Sequence, residues 1–557
     1  MILCGADIVV EALIEQGCDT VFGYPGGQIL NVYDSLYTHS DKINHVLTAH
    51  EQGAAHAADG YARTTGRVGV VISTSGPGAT NLVTGIATAY LDSIPMVAIC
   101  GNVPTTQIGM DSFQEINITG VTLPITKRNF FVKSVEDLAD TIREAFRLAK
   151  SGRPGPVLVD VPKDVQIAEC EYEKKPPVKK EEPSAADDIL IKEAADCINK
   201  AQRPYIYFGG GLITSGAQAE MLAAAEKIDA PIGCSLMGLS AIPTDNPRFL
   251  GMQGMHGHFA SSMAMHNADL ILSLGVRFND RVTGNRSKFA VGAKIIHIDV
   301  DGSELCKTVN AVYGLCGDVK LTLEKLLPLL EKRSRLEWIA QVNAFREEEK
   351  NYLDNREGLT PRKAILTLNK YLGKNTAVCT DVGQHQMWTA QNAVFRFPRR
   401  FVSSGGLGTM GFGLGAAVGA AFGTRERSVL VTGDGSFGMC LQELATAVSY
   451  NVPLVILIMN NGVLGMVRQW QTLFYNKHYS NTVLNRKTDF PALARAFGAD
   501  GEAVTTAEEL DAALKRAFAA NGPYVVDCKI DKDEFVLPML PPGGSMDDII
   551  VELEKEN

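Results

Sequence analysis

Short runs of apolar, largely β-branched residues recur along this chain at helix-length intervals, and they constrain its fold more than any other feature. They fall at 68–72, 95–99 and 156–160, again at 204–208, 268–273 and 294–299, and again at 377–380, 428–432 and 453–459. Few of them show the regular apolar–polar alternation of a strand with one solvated face, so helices must cover both faces of the sheets they form. The expected fold class is α/β, built from doubly wound, mostly parallel sheets. At 557 residues the chain is too long for one hydrophobic core, and about three domains are expected. Composition places the boundaries. Residues 1–168 form the first domain, and 169–188, dominated by Lys, Glu and Pro, reads as a solvated linker. The middle domain spans 189–330, and a charged segment of helical pattern at 331–356 reads as a second linker. The third domain spans 357–535, followed by a tail at 536–557. The first and third domains could share a fold without visible sequence similarity.

Charge and cysteine usage exclude several classes. A net charge of −10 with no sustained Lys/Arg run argues against nucleic acid or an anionic membrane as partner. The 11 cysteines are scattered without a C-x-x-C pair, which reads as reduced thiols in a cytoplasmic protein. The first residues open directly on a helical pattern at 6–13 and show no export signal. The stretch 405–423 is uncharged, but its glycine content points to a buried loop and helix and not to a membrane span.

The strongest chemical signal follows the run at 428–432. Gly433-Asp434-Gly435 comes directly after it, and Asn460-Asn461 ends the next apolar run after 24 intervening residues. Both elements therefore lie at strand C-terminal ends, where open α/β sheets bind ligands. Asp434 and Asn461 offer oxygen ligands to Mg²⁺, which keeps phosphate oxygens and water in its other positions, and Val463 joins them in the candidate metal set. Gly435 and Ser436 let backbone N–H groups approach phosphates at a helix N-terminus. Either tripeptide or dipeptide alone is ordinary turn chemistry; their order and spacing after two apolar runs resemble the thiamine-diphosphate signature.

That resemblance extends over almost the whole chain. The segment 49–63 resembles the stretch that carries the cofactor-activating glutamate, which here is Glu51. A carboxyl hydrogen-bonded to the aminopyrimidine favours the tautomer able to remove the proton from the cofactor's C2, and for this Glu51 is expected in an apolar pocket that raises its pKa. The segment 383–388, with Gln384 and His385, resembles a diphosphate-contacting loop, and 405–411, with Gly408 and Met410, resembles the loop whose methionine bends the cofactor. Further matches narrow the resemblance to the acetohydroxyacid synthases (acetolactate synthases). Gln114 lies in a segment similar to their substrate-facing loop, Lys163 matches a channel lysine or is a plain surface lysine, and Trp470 matches the selector for the second ketoacid or is a core tryptophan. The tail resembles one that closes over the site. In the middle domain, Gly209-Gly210-Gly211 is weak by itself, but 275–284 resembles the element that marks FAD-containing biosynthetic members, although Asn279 stands where many carry an acid. By the same resemblance Arg153, His256, Arg277, Asp299 and Asp318 border the flavin; the bland alternative is a surface ion-pair cluster.

The resemblance implies pyrimidine-binding, FAD-binding and diphosphate-binding domains, with thiamine diphosphate, Mg²⁺ and FAD as cofactors. It implies decarboxylation of pyruvate and transfer of the two-carbon fragment to pyruvate or 2-ketobutyrate, for branched-chain amino-acid biosynthesis. It also implies at least a homodimer, because glutamate and diphosphate sites of the family meet across subunits, and a small regulatory subunit. Competing readings are a flavin-dependent pyruvate oxidase, a glyoxylate carboligase and a non-catalytic nucleotide-binding protein of the same fold. The Gln114 and Trp470 segments weigh against the first, and Glu51 against the second. Glu51 together with the Asp434/Asn461 pair weighs against the third.

Overall fold

The computed structural model describes residues 1–552. It contains three six-stranded sheets, and every strand pairing within them is parallel. The central strands Gly69–Ser73, Met96–Asn102 and Pro156–Pro162 of the first sheet are buried along their whole length, as are Pro204–Phe208 and Leu270–Leu274 of the middle sheet. Strands buried this way need helices on both faces.

In the first sheet the spatial order is Asn44–Leu47, Thr20–Tyr24, Gly69–Ser73, Met96–Asn102, Pro156–Pro162, Arg128–Phe131. The third runs Phe401–Val402, Ala377–Thr380, Ser428–Gly433, Leu454–Asn460, Tyr524–Lys529, Asp500–Val504. With strands numbered in chain order within each sheet, both read 2-1-3-4-6-5, so the two domains share one topology. The middle sheet reads 3-2-1-4-5-6, and its order reverses between Pro204–Phe208 and Leu270–Leu274. A crevice opens at such reversals, beyond the strand C-terminal ends.

The first and third domains are joined by two helices in unusually close contact, Glu51–Thr65 and Gly413–Thr424. A Cβ on Gly419 would lie 1.8 Å from the Ala57 carbonyl oxygen, and one on Gly60 would lie 2.1 Å from that of Ala416. The later part of the glycine-rich stretch is thus a buried interdomain helix, whereas its loop, expected to be buried, is exposed at 406–408. No helix among the described residues is long and apolar enough to cross a membrane.

Two segments read as linkers depart from that reading. Glu169–Glu171 forms a short antiparallel strand with Ile2–Cys4. Within 331–356, helix Leu336–Glu349 belongs to the middle domain: Trp338 is 3% exposed, packs with Val342 against Tyr205 and Tyr207, and donates Nε1–H to the Pro204 carbonyl (3.0 Å). The tail, in its described part, straps the middle and third domains together, with Leu540 N–H on the Met255 carbonyl and Gln469 Nε2 on the Val536 carbonyl.

Candidate active site

Strand Ser428–Gly433 runs straight into helix Asp434–Cys440, which places Asp434 at the helix N-terminus. The side chain is buried, and Oδ1 has no hydrogen-bond partner among the described residues. Burial pushes its pKa up to about 6, although the amides of Asp434 and Gly435 work the other way. Gly433 pairs with Met459 on the adjacent strand, so Asn461 emerges beside Asp434. Its Oδ1 accepts from Val463 N (3.2 Å) and its Nδ2 donates to Gln384 Oε1 (3.3 Å). Gln384 in turn donates to Gln469 Oε1 (3.0 Å) and to the Glu534 carbonyl (2.7 Å).

His385 lies next to this turn: a Cβ on Gly433 would be 3.0 Å from its Nδ1. Burial holds the imidazole pKa down, to about 3, so the ring is neutral, and Nε2 has no partner among the described residues. Ser436 Oγ donates to the Val382 carbonyl (3.1 Å), and a Cβ on Gly435 would come within 2.7 Å of Leu464 and 3.9 Å of Met410 Cε. Asp381, which the sequence reading missed, accepts from Gly411 N (2.7 Å) and Thr432 Oγ1 (3.0 Å) and so fixes the Met410 loop to the strand end. One unpartnered carboxylate oxygen, one amide oxygen and nearby main chain suit a hard cation. No three His, Cys, Asp or Glu side chains converge among the described residues, so a cation held here would need most of its ligands from outside the protein's side chains.

A second group of candidate residues sits at the C-terminal edge of the first sheet. Glu51 opens its helix and accepts from Asn81 Nδ2 (2.9 Å). The expected apolar pocket is not closed by this chain: Glu51 is only half-buried, because it occupies an open sheet edge. From the third domain, buried Glu443 accepts from Ala49 N (3.2 Å) just ahead of Glu51, and a Cβ on Gly53 would lie 2.1 Å from its Oε1. Gln114 holds φ 63° against Gly76, whose Cβ would come within 2.9 Å of the Gln114 Cα. Lys163 is half-buried and donates to the Gly27 carbonyl (3.2 Å). Beside Gln114, Met110 and Phe113 are 70% and 84% exposed.

The third feature is a cavity of about 1520 Å³ at the junction of the three domains. Gly209, Gly210, Gly211, Arg153, His256, Arg277, Asp299 and Asp318 all line it, together with Gly408, Met410 and Trp470; Glu51, Gln114 and Lys163 do not. The glycines lie at the reversal point of the middle sheet, where a Cβ on Gly211 would be 2.6 Å from the Gly275 Cα. Arg277 donates to the Leu91 carbonyl (2.6 Å), makes no ion pair among the described residues, and has its pKa lowered by burial. His256 is buried with Nδ1 unpartnered among the described residues and its pKa pushed down to about 4. These nitrogen groups, left over at the cavity wall, fit an anionic cofactor. Arg153 is already engaged with Glu304 (2.8 Å) and Asp301 (3.3 Å), as the ion-pair alternative has it, and Asp318 caps helix Val319–Leu326. Trp470 is half-buried on the cavity wall, edge-on to Phe474 at 5.7 Å between ring centroids, with the Arg281 guanidinium 5.5 Å from its ring centroid. It is not a core tryptophan. Arg281 was not singled out from sequence, although it lies in the 275–284 element.

Known families match in the same three parts. Residues 3–121 match the N-terminal TPP binding domain of thiamine pyrophosphate enzymes, 191–326 their central domain, and 381–528 their C-terminal TPP binding domain. Fold and site thus define a thiamine pyrophosphate enzyme. Over nearly its full length the chain is 45% identical to a probable acetolactate synthase large subunit of Methanocaldococcus jannaschii, covering 99% of this chain and 96% of that one. It is 44% identical to the isozyme 3 large subunit of Escherichia coli, with 98% of each chain covered, and 45% identical to the isozyme 2 large subunit, with 99% and 100% covered. The chain belongs to the acetolactate synthase large-subunit family.

Proposed function

We propose that this chain decarboxylates pyruvate and joins the two-carbon fragment to pyruvate or 2-ketobutyrate, giving 2-acetolactate or 2-aceto-2-hydroxybutyrate for branched-chain amino-acid biosynthesis. The supporting observation is the unpartnered Asp434 carboxylate oxygen at a helix N-terminus beside Asn461, in a chain similar end to end to acetolactate synthase large subunits. Bound thiamine diphosphate supplies a nucleophilic carbon and an electron sink for the charge left by CO₂ loss. Asp434, Asn461 and the Val463 segment hold Mg²⁺ against the diphosphate, with Gln384, His385, Gly435 and Ser436 around it. Glu51 exchanges a proton with the aminopyrimidine, oriented by Asn81. Gly408 and Met410 support the cofactor's shape. Trp470 and Arg281 receive the second ketoacid, the indole face its alkyl group and the guanidinium its carboxylate. FAD fills the three-domain cavity without a redox role, since the net carboligation transfers no electrons.

Glu51, Gln114 and Lys163 stand apart from the cavity that holds Met410 and Trp470, and exposed Met110 and Phe113 lie beside Gln114 in sequence. A second copy of the chain therefore completes each site, in a homodimer or larger assembly. The relatives' designation as large subunits supports a small regulatory partner. Free thiols at all 11 cysteines suit the cytoplasm.

The test is a product assay of the purified chain with pyruvate, Mg²⁺, thiamine diphosphate and FAD, with and without 2-ketobutyrate. Acetolactate with little oxygen consumed per CO₂ is expected. Stoichiometric oxygen or acceptor reduction would replace this reading with the pyruvate oxidase.

A further inference from the structure

Helix Val83–Asp92 of the first domain ends where the other two domains meet. Its last residue, Asp92, has a side chain with no solvent exposure. A buried carboxylate at a helix C-terminus faces the unfavourable end of the helix dipole, so its partners must offset both burial and dipole. Those partners belong mainly to one loop of the third domain. Asp92 Oδ1 accepts from Gly406 N (2.7 Å), and Oδ2 accepts from Gly405 N (3.0 Å) and from Arg63 Nη2 (2.8 Å). Arg63 passes the connection on through Nη1 to the Ser403 carbonyl (2.7 Å). One turn earlier, the Thr88 hydroxyl meets that of Thr409 at 2.8 Å, directly before Met410. On its other side the same helix end is held by Arg277, through the Leu91 carbonyl (2.6 Å).

Resting on the function proposed above, we infer that Asp92 is a positioning residue: it sets the Met410 loop and couples occupancy of the flavin cavity to thiamine-diphosphate binding. A flavin held by Arg277 orders the Leu91–Asp92 turn, and that turn holds the two glycine amides from which the Met410 loop hangs. The flavin thereby acts on carboligation through position alone. Coupling of this kind is reciprocal, so thiamine diphosphate must tighten FAD by the same factor.

The experiment uses the full-length chain stripped of cofactors, with thiamine diphosphate and Mg²⁺ titrated by tryptophan fluorescence in the presence and absence of FAD. In the parent, FAD should tighten thiamine diphosphate by about fivefold or more. Asp92→Asn, which cannot serve two amides and a guanidinium as acceptor, should weaken thiamine diphosphate by about tenfold and abolish the coupling. Thr88→Val should act in the same direction with a smaller effect, and it decides the matter if Asp92→Asn does not fold. A folded Asp92→Asn or Thr88→Val chain with parental affinity and parental coupling would overturn the inference while the proposed function stands. A parent that binds neither cofactor would remove the function and the inference together.

Discussion

Glu51 can be tested without disturbing its surroundings, because glutamine keeps an oxygen for Asn81 Nδ2 but cannot exchange a proton at neutral pH. Glu51→Gln should bind thiamine diphosphate with parental affinity while kcat falls by about 10²–10⁴; comparable kcat would end its assignment as the activating group. Trp470 is half-buried on the cavity wall, so its replacement should leave folding intact and expose the specificity role proposed for it. Trp470→Leu should still make acetolactate but lose about tenfold of any preference for 2-ketobutyrate in mixed-substrate competition, the scale of one methylene contact. An unchanged product ratio would exclude the contact. Buried Asp160 accepts from Asn102 Nδ2 (2.7 Å) at the base of the Gln114 loop, and burial pushes its pKa up to about 7. Unfolded, it titrates near 3.9. Between those values the native chain keeps a proton that the unfolded chain has released, so stability falls as pH rises from about 4 to about 7 and is flat above. Asp160→Asn cannot ionise, and its melting midpoint should gain on the parent's across that window; parallel midpoints would refute the shift. What was legible at this scale was local. Asp434 and Asn461 were singled out because each follows an apolar run and the two stand in a set order and spacing, and the structure places them at adjacent strand ends. Asn81, Asp381, Glu443 and Asp92 were not found, because each gets its meaning from a partner far away in sequence, as Glu443 does from Ala49, 394 residues distant.

Helices Glu51–Thr65 and Gly413–Thr424 show how composition becomes a contact. Their facing glycines and alanines let one backbone approach the other, and a Cβ on Gly419 has no room beside the Ala57 carbonyl at 1.8 Å. Gly419→Val must separate the helices, at a cost of about 1–3 kcal/mol or more. A lowered melting midpoint with weakened activity is expected, since Glu51 opens one of the two helices, and a parental midpoint would show the packing to be loose. The charged segment 331–356 illustrates the opposite failure. Its buried stripe is narrow, little more than Trp338 and Val342 one turn apart, so the helical pattern is legible in the sequence, but its charge makes it read as a linker and hides its packing on the middle domain. The strand Glu169–Glu171 was missed for a related reason: it is short, and its partner lies at the very start of the chain.

For the whole molecule, the separation of Glu51 from the Met410 cavity makes a quantitative prediction. If each site draws Glu51 from one copy and Asp434 from the other, mixing refolded Glu51→Gln and Asp434→Ala chains should yield mixed dimers with one intact site each. Activity should return to about a quarter of the parental value, since half the dimers are mixed and each has half its sites. No recovery in mixtures shown to exchange subunits would place both groups in one chain. The amino-acid sequence by itself determined the parallel α/β class, the three-part layout, the residues at the strand ends of the third domain and the kind of cofactor they suit. Those properties are local, carried by apolar runs and by the few residues that follow them. Only the tertiary structure decided that the flavin candidates, Met410 and Trp470 share one cavity, that Glu51 lies outside it, and that a first-domain aspartate holds the Met410 loop. Those arrangements follow from how the three domains pack, through contacts between residues hundreds of positions apart, which no local pattern encodes.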